Sequence, residues 1–341
     1  MRHRLSAIVV AAALAAGCGD EPPEQWRIAL EEKAGGVQYE YAARFAEEVE
    51  ERTDGAVEVR IYPYGAIGDT ETVHQQVRRN AVHFAFGSGD LAGAVPESQV
   101  FGLHFIYSED AYVNARALND PELLHSDALQ GAYRDARLRP LALVPTGWRV
   151  WAADRPLRAP ADFRDVRLGV ADSPLLRESY RAYGAQAEHV EYGELHAALA
   201  DGRVDATAQP IYILDALGLY EHTRHWTAPR AAPHVSAFVA SDIFYQRLSR
   251  GQRRMLREIG EELVDWAHEM QQALNEQRLA QIRQAEDIAV EELDAAEREA
   301  LADPARPLRA LYTARGGPDA ERILARLLDA LERAEAEHGG D

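Results

Sequence analysis

Two short stretches of the 341-residue chain hold residue types that could bind a cofactor or a metal ion. GSGDLA (87–92) has the G-x-G-x-x-A spacing of a dinucleotide-binding turn. In such a turn the carboxylate of Asp90 would face the negatively charged pyrophosphate, and Pro96 follows within a few residues. We therefore interpret residues 87–92 as a plain loop between lobes. His222 and His225 would share a face if the local helix extended that far, but two histidines without a third ligand indicate a solvated helix end rather than zinc. No G-x-S-x-G elbow occurs, and we expect no catalytic site, cofactor or metal.

A third stretch, PADFRDVRLGVADSP (160–174), indicates where a ligand could approach the backbone. It predicts a turn and then a short strand in which Val166, Leu168 and Val170 alternate toward the interior. Gly169 lies on the opposite face of that strand. Because glycine weakens a strand, its usual reason is the close approach of a ligand or another backbone. This strand is therefore a candidate part of a binding site.

The composition excludes several classes of partner. The chain is 47% hydrophobic and 27% charged, which is typical of a soluble globular protein, and its length predicts two lobes or domains. The net charge of −19 argues against nucleic acid and anionic membrane surfaces as partners, because both attract clustered Lys and Arg.

The N-terminus has the features of a lipoprotein signal peptide. Arg2 and Arg4 form a basic start, residues 5–16 form an apolar run too short for a comfortable membrane span, and LAAGC resembles a lipoprotein box. Cys18 is the single cysteine, so no intramolecular disulfide can form, and we expect it to be lipidated, with residues 19–25 as a polar tether. The alternative is a plain secretory signal. Either signal predicts a periplasmic protein, attached to a membrane only through a lipid anchor.

Beyond residue 25, strand and helix periods alternate along the chain. VQYEYAARFAEEVEERTDG carries Val37, Tyr41, Phe45 and Val49 on one face before a glycine stop, which predicts an amphipathic helix. The next stretch, AVEVRIYP, alternates apolar and charged residues as a half-buried strand does. Repeats of this pattern, with a helix expected around 109–136, predict an α/β fold with two mainly parallel sheets covered by helices.

The C-terminal third has a different pattern. From Ser249 to about Ile288 no proline interrupts a helical period. Roughly 40 residues at 1.5 Å each make a rod on the order of 60 Å long, which exceeds one small lobe. We expect this helix to run along two lobes and to join them. A strand at IAVEEL and two more helical stretches follow it.

Several motifs follow one another in a defined order. The first, RFAEEVEERTDGAVEVRIYPYGAIGD, places a helix ending in T-x-G before a strand, a Tyr-Pro turn and an Ile-Gly pair. The later ones are GWR (147–149), LRAPADFRDVRLGV (157–170), YGELHAALADGRVDATAQP (192–210) and QRLSRGQRRMLREIGEE (246–262). Their order and spacing, over nearly the whole chain after the signal, resemble the substrate-binding proteins of TRAP transporters, the tripartite ATP-independent periplasmic systems.

The resemblance implies a two-lobed α/β periplasmic-binding-protein fold of type II-like, Venus-flytrap architecture, spanned by a long helix. Such a protein is non-catalytic, closes over a small, usually anionic, organic solute without a cofactor, and docks on the TRAP membrane permease subunits. The expected organisation is a signal peptide at 1–18, a tether at 19–25, lobe 1 at 26–145 plus 230–250, lobe 2 at 146–229, the bridging helix at 251–288, and a C-terminal strand and helices at 289–341 that pack on the lobes.

The same resemblance implies four ligand-binding residues. Arg149 matches the arginine of the family's G-x-R segment, and Tyr192 falls at an aromatic position that lines the cleft. Gln209 replaces the family's asparagine before a proline, and Asp69 falls where members often place a ligand-facing polar residue. Each has a structural alternative: a salt bridge for the arginine, core packing for the tyrosine, and capping for the other two.

Gly169 acquires a specific meaning from the resemblance. The family's segment D-L-K-G-L-K-I-R-V aligns with DFRDVRLGV. At the position of Gly169 the family has an arginine that clamps the solute's carboxylate, and this arginine is absent here. Arg167 cannot replace it, because it lies about 6–7 Å earlier on the same face; a one-residue slip of the alignment is the alternative. Asp172 adds a negative charge at the rim. The expected solute is therefore bulkier, neutral, zwitterionic or amine-bearing, in space freed at position 169.

Two other classes of function stay open on the sequence. An exported α/β enzyme could use the cleft and its histidines, and turnover of a substrate would distinguish it from a protein that a ligand only stabilises. A binding protein of the ABC type, or one linked to a sensor, is the nearer alternative. The type of permease gene next to this one would distinguish a TRAP-type protein from these two alternatives.

Overall fold

The computed structural model describes residues 22–286 and 288–339. The predicted signal peptide, with Cys18, lies outside the described residues. The strands within these residues, in chain order, are β1 (Glu24–Ala29), β2 (Val57–Tyr62), β3 (Phe84–Gly87), β4 (Leu138–Trp148), β5 (Val150–Ala153), β6 (Arg167–Val170), β7 (Gln186–His189), β8 (Ala206–Gln209), β9 (His225–Ala228), β10 (Pro233–Ser241) and β11 (Ala289–Glu292). β1 begins at Glu24, so the last two residues of the predicted tether belong to a strand.

The strands form two sheets, and both are mixed rather than mainly parallel. The first has the order β2-β1-β3-β10-β4 and the second the order β11-β9-β5-β8-β6-β7. Within them β10 runs antiparallel to β3 and β4, and β5 runs antiparallel to β8 and β9. The expectation of mainly parallel sheets is wrong at these strands.

The antiparallel strands are those where the chain passes from one sheet to the other. β4 continues through the single residue Arg149 into β5, and residues 229–232 connect β9 back to β10. A helical crossover returns the chain to the same edge and gives parallel pairing. A strand that enters directly from the other sheet needs no crossover. The two strands that do so, β5 and β10, are antiparallel to the neighbours named above.

The described helices cover the sheets on both faces. They are α1 (Val37–Arg52), α2 (Thr70–Arg78), α3 (Ala111–Leu118), α4 (Pro121–Leu124), α5 (Asp127–Asp135), α6 (Pro174–Tyr183), α7 (Leu195–Ala200), α8 (Ile211–Ala216), α9 (Asp242–Arg247), α10 (Arg250–Ala285), α11 (Ala295–Ala305) and α12 (Pro307–His338), the last kinked at Gly317. The single helix expected around 109–136 is instead α3, α4 and α5. Asp120 and Ser126 cap new helix starts there, and Pro121 cannot continue the preceding helix.

The long helix α10 contacts elements of both lobes. It starts with a capping box between Ser249 and Gln252, and its 36 residues correspond to a length of about 54 Å. Around Glu262 and Asp265 it packs beside α1 and α3 of the first lobe. Further along, Asn275 accepts a hydrogen bond from the backbone N–H of Tyr212 at 3.2 Å, in the second lobe. The predicted bridging helix is thus present, although the residue boundaries of the lobes stay a prediction.

Aromatic side chains fill the interior of both lobes. Phe84 and Phe238 stack in the first lobe with ring centroids 5.6 Å apart, and Phe45 packs edge-on against both. In the second lobe Trp151 lies edge-on to Phe163, with centroids 5.0 Å apart. None of the helices described at 22–286 and 288–339 has the length and apolar character that crossing a membrane requires.

Candidate functional site

The carboxyl ends of strands from both sheets meet in one cleft. Glu31 and Glu32 follow β1, and Ser88 follows β3. Ala171 and Gln209 lie at the ends of β6 and β8, facing them. Open α/β sheets bind ligands at this edge of the strands. The cleft contains two cavities of about 20 Å³ each, and Ser88 lines both.

Arg149 forms a cationic end of the cleft. It occupies the crossing between β4 and β5, is 5% exposed, and lines the first cavity with Gln99 and Ser173. Its Nη1 atom donates a hydrogen bond to the carbonyl oxygen of Ala208 at 3.4 Å. Burial, and then the charge of Arg149, lower the pKa of His104 to about 3. The neighbouring imidazole therefore stays neutral, and the positive charge at this end is that of the guanidinium.

Glu31 lies in a buried hydrogen-bond network at the other end of the cleft. It accepts hydrogen bonds from the backbone N–H of Ser88 at 2.9 Å and from the side-chain amide of Gln38 at 3.4 Å. Its Oε1 atom lies 2.5 Å from Nε2 of His74. Buried carboxylates persist in proteins when such partners compensate for lost hydration. Glu31 is therefore held by groups of the first lobe.

Glu32 is less completely hydrogen-bonded than its neighbour. Its Oε1 atom accepts a hydrogen bond from the Tyr212 hydroxyl at 2.5 Å. Its Oε2 atom is buried and has no hydrogen-bond partner among residues 22–286 and 288–339. Burial raises the pKa of Glu32 to about 8; the Tyr212 hydrogen bond opposes this rise and the charge of Glu31 adds to it. The carboxyl group is therefore mostly protonated at neutral pH, and an approaching cation would ionise it.

Tyr192 and Gln209 line the second cavity together with Glu32. The Tyr192 ring lies edge-on to that of Tyr64, with centroids 5.1 Å apart, and burial raises the pKa of its hydroxyl. Gln209 is buried at the last position of β8. An aromatic ring and an amide thus border the same space as the acidic end of the cleft. Their contact with a solute stays a prediction.

Two valines lie beside Gly169, and its contact with a solute stays a prediction. It pairs in register with Glu188 of β7 and Thr207 of β8. A Cβ atom at this position would lie 3.0 Å from Cγ2 of Val190 and 3.4 Å from Cγ2 of Val204. Core valines therefore approach Gly169, and an arginine there would require them to move.

The two predicted acidic residues make local contacts on the surface. Asp172 is exposed, and its Oδ1 atom pairs with Nη1 of Arg177 at 2.7 Å. Asp69 is the N-cap of α2 and accepts a hydrogen bond from the backbone N–H of Thr72 at 2.8 Å. Hydrogen bonds from Thr72 lower the pKa of Asp69. Asp69 thus has the capping role that the sequence left open, and a solute contact for either aspartate stays a prediction.

The histidine pair and the glycine-rich turn do not form the sites that their spacing suggested. His222 follows a 3₁₀ helix at Leu219–Glu221 and His225 begins β9, so the two histidines do not share a helix face. After β3 the chain forms a 3₁₀ helix at Gly89–Gly93, not the α-helix whose N-terminus would hold a pyrophosphate. The turn instead contributes the backbone N–H of Ser88 to the glutamate network.

Hydrogen bonds cross the cleft and hold the lobes in contact. The hydroxyl of Tyr64 donates to Oε2 of Glu191 at 3.0 Å, and that of Thr70 donates to Oε1 of the same carboxylate at 3.3 Å. The bond from Tyr212 to Glu32 crosses at a second point. Elements of the two lobes are therefore in direct contact across the cleft.

Glu31 and Glu32 were not predicted from the sequence, although a signal for them existed. They directly follow WRIAL, which reads as a buried strand, and ligand-binding residues of α/β proteins concentrate at that end of a strand. The hydrogen-bond partners of the two glutamates could not be identified from the sequence. Tyr212 is 180 residues from Glu32 and His74 is 43 residues from Glu31, and contacts over such separations leave no local pattern.

Residues 28–314 match the family described as bacterial extracellular solute-binding protein, family 7. The chain belongs to this family, the solute-binding proteins of TRAP transporters, which are two-lobed and periplasmic. The resemblance drawn from the ordered motifs is confirmed, and so is the two-lobed α/β fold with its long helix.

Particular relatives cover nearly the whole chain. The ectoine-binding periplasmic protein TeaA of Halomonas elongata is 25% identical over 93% of both chains. The ectoine/5-hydroxyectoine-binding periplasmic protein UehA of Ruegeria pomeroyi is 27% identical over 92% of both. A TRAP periplasmic solute-binding protein from Marinobacter aquaeolei, in an apo open structure, is 32% identical with a TM-score of 0.84, covering 89% of this chain and 99% of that one. The structure of TeaA gives a TM-score of 0.85 over 91% of this chain and 100% of its own.

Proposed function

We propose that the protein binds a small zwitterionic solute outside the cytoplasm and delivers it to the membrane subunits of a TRAP transporter. The solute's carboxylate lies at Arg149 and its cationic group at Glu32. One observation carries this proposal: Glu32 lines the cavity and has a buried carboxylate oxygen without a hydrogen-bond partner among the described residues.

A cationic group with N–H donors suits the acidic end of the cleft. It would give Oε2 of Glu32 the partner that the described residues do not supply. It would also favour ionisation of a carboxyl group whose pKa burial has raised to about 8. At an effective dielectric constant of 20, opposite charges 4 Å apart attract by about 4 kcal/mol. That attraction is large enough to offset much of the desolvation that keeps Glu32 neutral.

The carboxylate of the solute has a separate partner in Arg149. A guanidinium offers a planar set of donors that fits a carboxylate with two parallel hydrogen bonds. A dicarboxylate would be bound less well, because its second carboxylate would approach Glu31 and Glu32. The charges of the cleft therefore favour a molecule with one anionic and one cationic end.

Ectoine is the first solute to test. Two of the relatives are named for binding it, and it combines one carboxylate with a cationic ring. The planar amidinium part of its ring could stack on Tyr192, which lines the same cavity as Glu32.

Titration calorimetry with ectoine and succinate tests the proposal. Ectoine should bind the wild type, and succinate should bind roughly 100-fold more weakly, because bringing like charges together costs several kcal/mol. Arg149→Ala and Glu32→Gln should each weaken ectoine binding, since loss of one member of a buried charge pair removes roughly 2–5 kcal/mol. Arg167→Ala is the matched control, because it removes an exposed arginine of β6 that pairs with Asp205. Tighter binding of succinate than ectoine, or full ectoine affinity in the Arg149 variant, would contradict the assignment.

The wider role follows from the family. We infer that the lobes close over the solute and that the closed form docks on the permease, because only differential affinity for the closed form shifts the equilibrium toward it. The contacts of Tyr64 and Thr70 with Glu191 support this inference, since they form only when the lobes meet. Attachment to a membrane through a lipid on Cys18 is part of the same proposal. Solute turnover would favour the enzyme alternative, and binding without turnover excludes it.

A further inference from the structure

We propose that His196, Glu221 and His222 bind a divalent transition-metal ion, represented by Zn²⁺, on the second lobe. One ligand atom from each side chain lies within 4.8 Å of the other two. Nε2 of His196 lies 3.6 Å from Oε2 of Glu221, and the two imidazole rings are edge to face with centroids 4.7 Å apart. Two imidazoles and one carboxylate are a donor set that zinc takes in proteins, with water as the fourth ligand.

The spacing of the donors needs only small side-chain rotations to hold the ion. Tetrahedral zinc with bonds of about 2.0–2.2 Å places two of its ligand atoms about 3.4 Å apart. The distance of 3.6 Å between His196 and Glu221 is close to this value. Their side chains are 43% and 55% exposed, so an ion can reach them and they can rotate.

A turn rather than helix periodicity brings the donors together. His196 belongs to α7, whereas Glu221 and His222 end the 3₁₀ turn that begins after Gly218. Gly218 has φ of +66°, in the left-handed region. A Cβ atom there would lie 3.4 Å from Oε1 of Glu221 and 3.6 Å from Cδ2 of His196. Glycine therefore allows the turn and keeps side-chain atoms out of the space beside the donors.

A further observation favours a cation at this position. Nε2 of His222 is shielded from solvent and, within residues 22–286 and 288–339, has no hydrogen-bond partner; coordination through that atom would supply one. The carboxylate of Glu221 lies beside both imidazoles, and its negative charge attracts a divalent cation.

A bound ion would fasten α7 to the turn that follows α8. α7 comes directly after the segment of Tyr192, which lines the second cavity, and α8 carries Tyr212, which reaches Glu32. The ion would therefore hold in place two elements that form one wall of the cleft. Zinc binding at this site does not depend on which solute the cleft takes.

Calorimetric titration of the chelator-treated protein with ZnCl₂ tests the site. The wild type should bind one Zn²⁺ per chain, and Mg²⁺ should not compete because it prefers oxygen ligands in an octahedron. His196→Ala and His222→Ala should each lower zinc affinity by more than the roughly 10–100-fold that loss of an outer-shell partner costs. Glu221→Gln, a change of similar shape at an exposed position, gives a third variant if a histidine substitution impairs folding.

His125→Ala is the matched control. His125 is a histidine of the first lobe whose Nε2 atom lies 3.9 Å from Oε1 of Glu261. Its loss should leave zinc affinity unchanged. Hydrogen exchange gives a second readout: Zn²⁺ should slow exchange of the amides at 195–200 and 219–222 in the wild type but not in the Glu221→Gln variant. The proposal is overturned by a wild type that shows no saturable binding, or by equal zinc affinity in the wild type and the three site variants. Ectoine calorimetry would be unaffected by either outcome, so failure of this site is distinguishable from failure of the proposed function.

Discussion

The buried carboxyl group of Glu32 should make the stability of the protein depend on pH. Its pKa is about 8 in the folded state, raised from an ordinary value of 4.5 chiefly by burial. A carboxyl group with a raised pKa binds its proton more tightly in the folded than in the unfolded state. Its contribution to stability is therefore complete below pH 4.5, falls as the pH rises, and is lost above about pH 8.

Glu32→Gln removes this dependence while nearly preserving the shape of the side chain. Between pH 5 and the folded pKa of about 8 lie about 3 pH units, each equivalent to 1.36 kcal/mol. The wild type should therefore lose on the order of 4 kcal/mol more stability than the variant between pH 5 and pH 9. The difference should be small at pH 5 and largest at pH 9, where the variant is the more stable protein.

Urea unfolding followed by circular dichroism at pH 5, 7 and 9 measures this effect. Other titrating groups are common to both proteins, so the difference between the two curves isolates Glu32. Glu51→Gln, at an exposed position of α1, is the control and should follow the wild type. If the wild type and Glu32→Gln lose the same stability between pH 5 and pH 9, the buried carboxyl group is not protonated as argued.

Three further predictions concern packing, closure and attachment. Gly169→Leu should destabilise the protein by roughly 1–3 kcal/mol in urea unfolding because of overpacking against Val190, and Val190→Ala in the same chain should show a favourable coupling; simple additivity would refute the contact. Tyr64→Phe removes a hydrogen bond to the Glu191 carboxylate that contributes roughly 1.5–3 kcal/mol to the contact between the lobes. The lobes should therefore be open more often, and small-angle scattering should give a larger radius of gyration than for the wild type; an equal radius would argue against closure. Cys18→Ser should abolish labelling by a palmitate analogue, and persistent labelling would exclude the lipoprotein assignment.

Local patterns in the sequence determined much of the fold. The apolar period and the absence of proline predicted a single helix from Ser249 to about Ile288, and α10 runs from Arg250 to Ala285. The alternation of helix and strand periods predicted the α/β class, and the order of the motifs predicted the family, which the match at 28–314 confirms. These features follow from backbone geometry, because residues 3.6 apart in a helix or two apart in a strand share one face.

Tertiary packing alone decided the arrangement of charges in the cleft. Glu32 meets Tyr212, and His196 meets His222, only because distant segments fold against each other. The neighbours of Gly169 were likewise set by β7 and β8, so the sequence showed which side chain was missing but not that Val190 lies beside that position. Periodicity reports which face of an element is buried. The partner on that face depends on how whole elements pack, and so does the pKa of a buried carboxyl group, which responds to every charge and dipole around it.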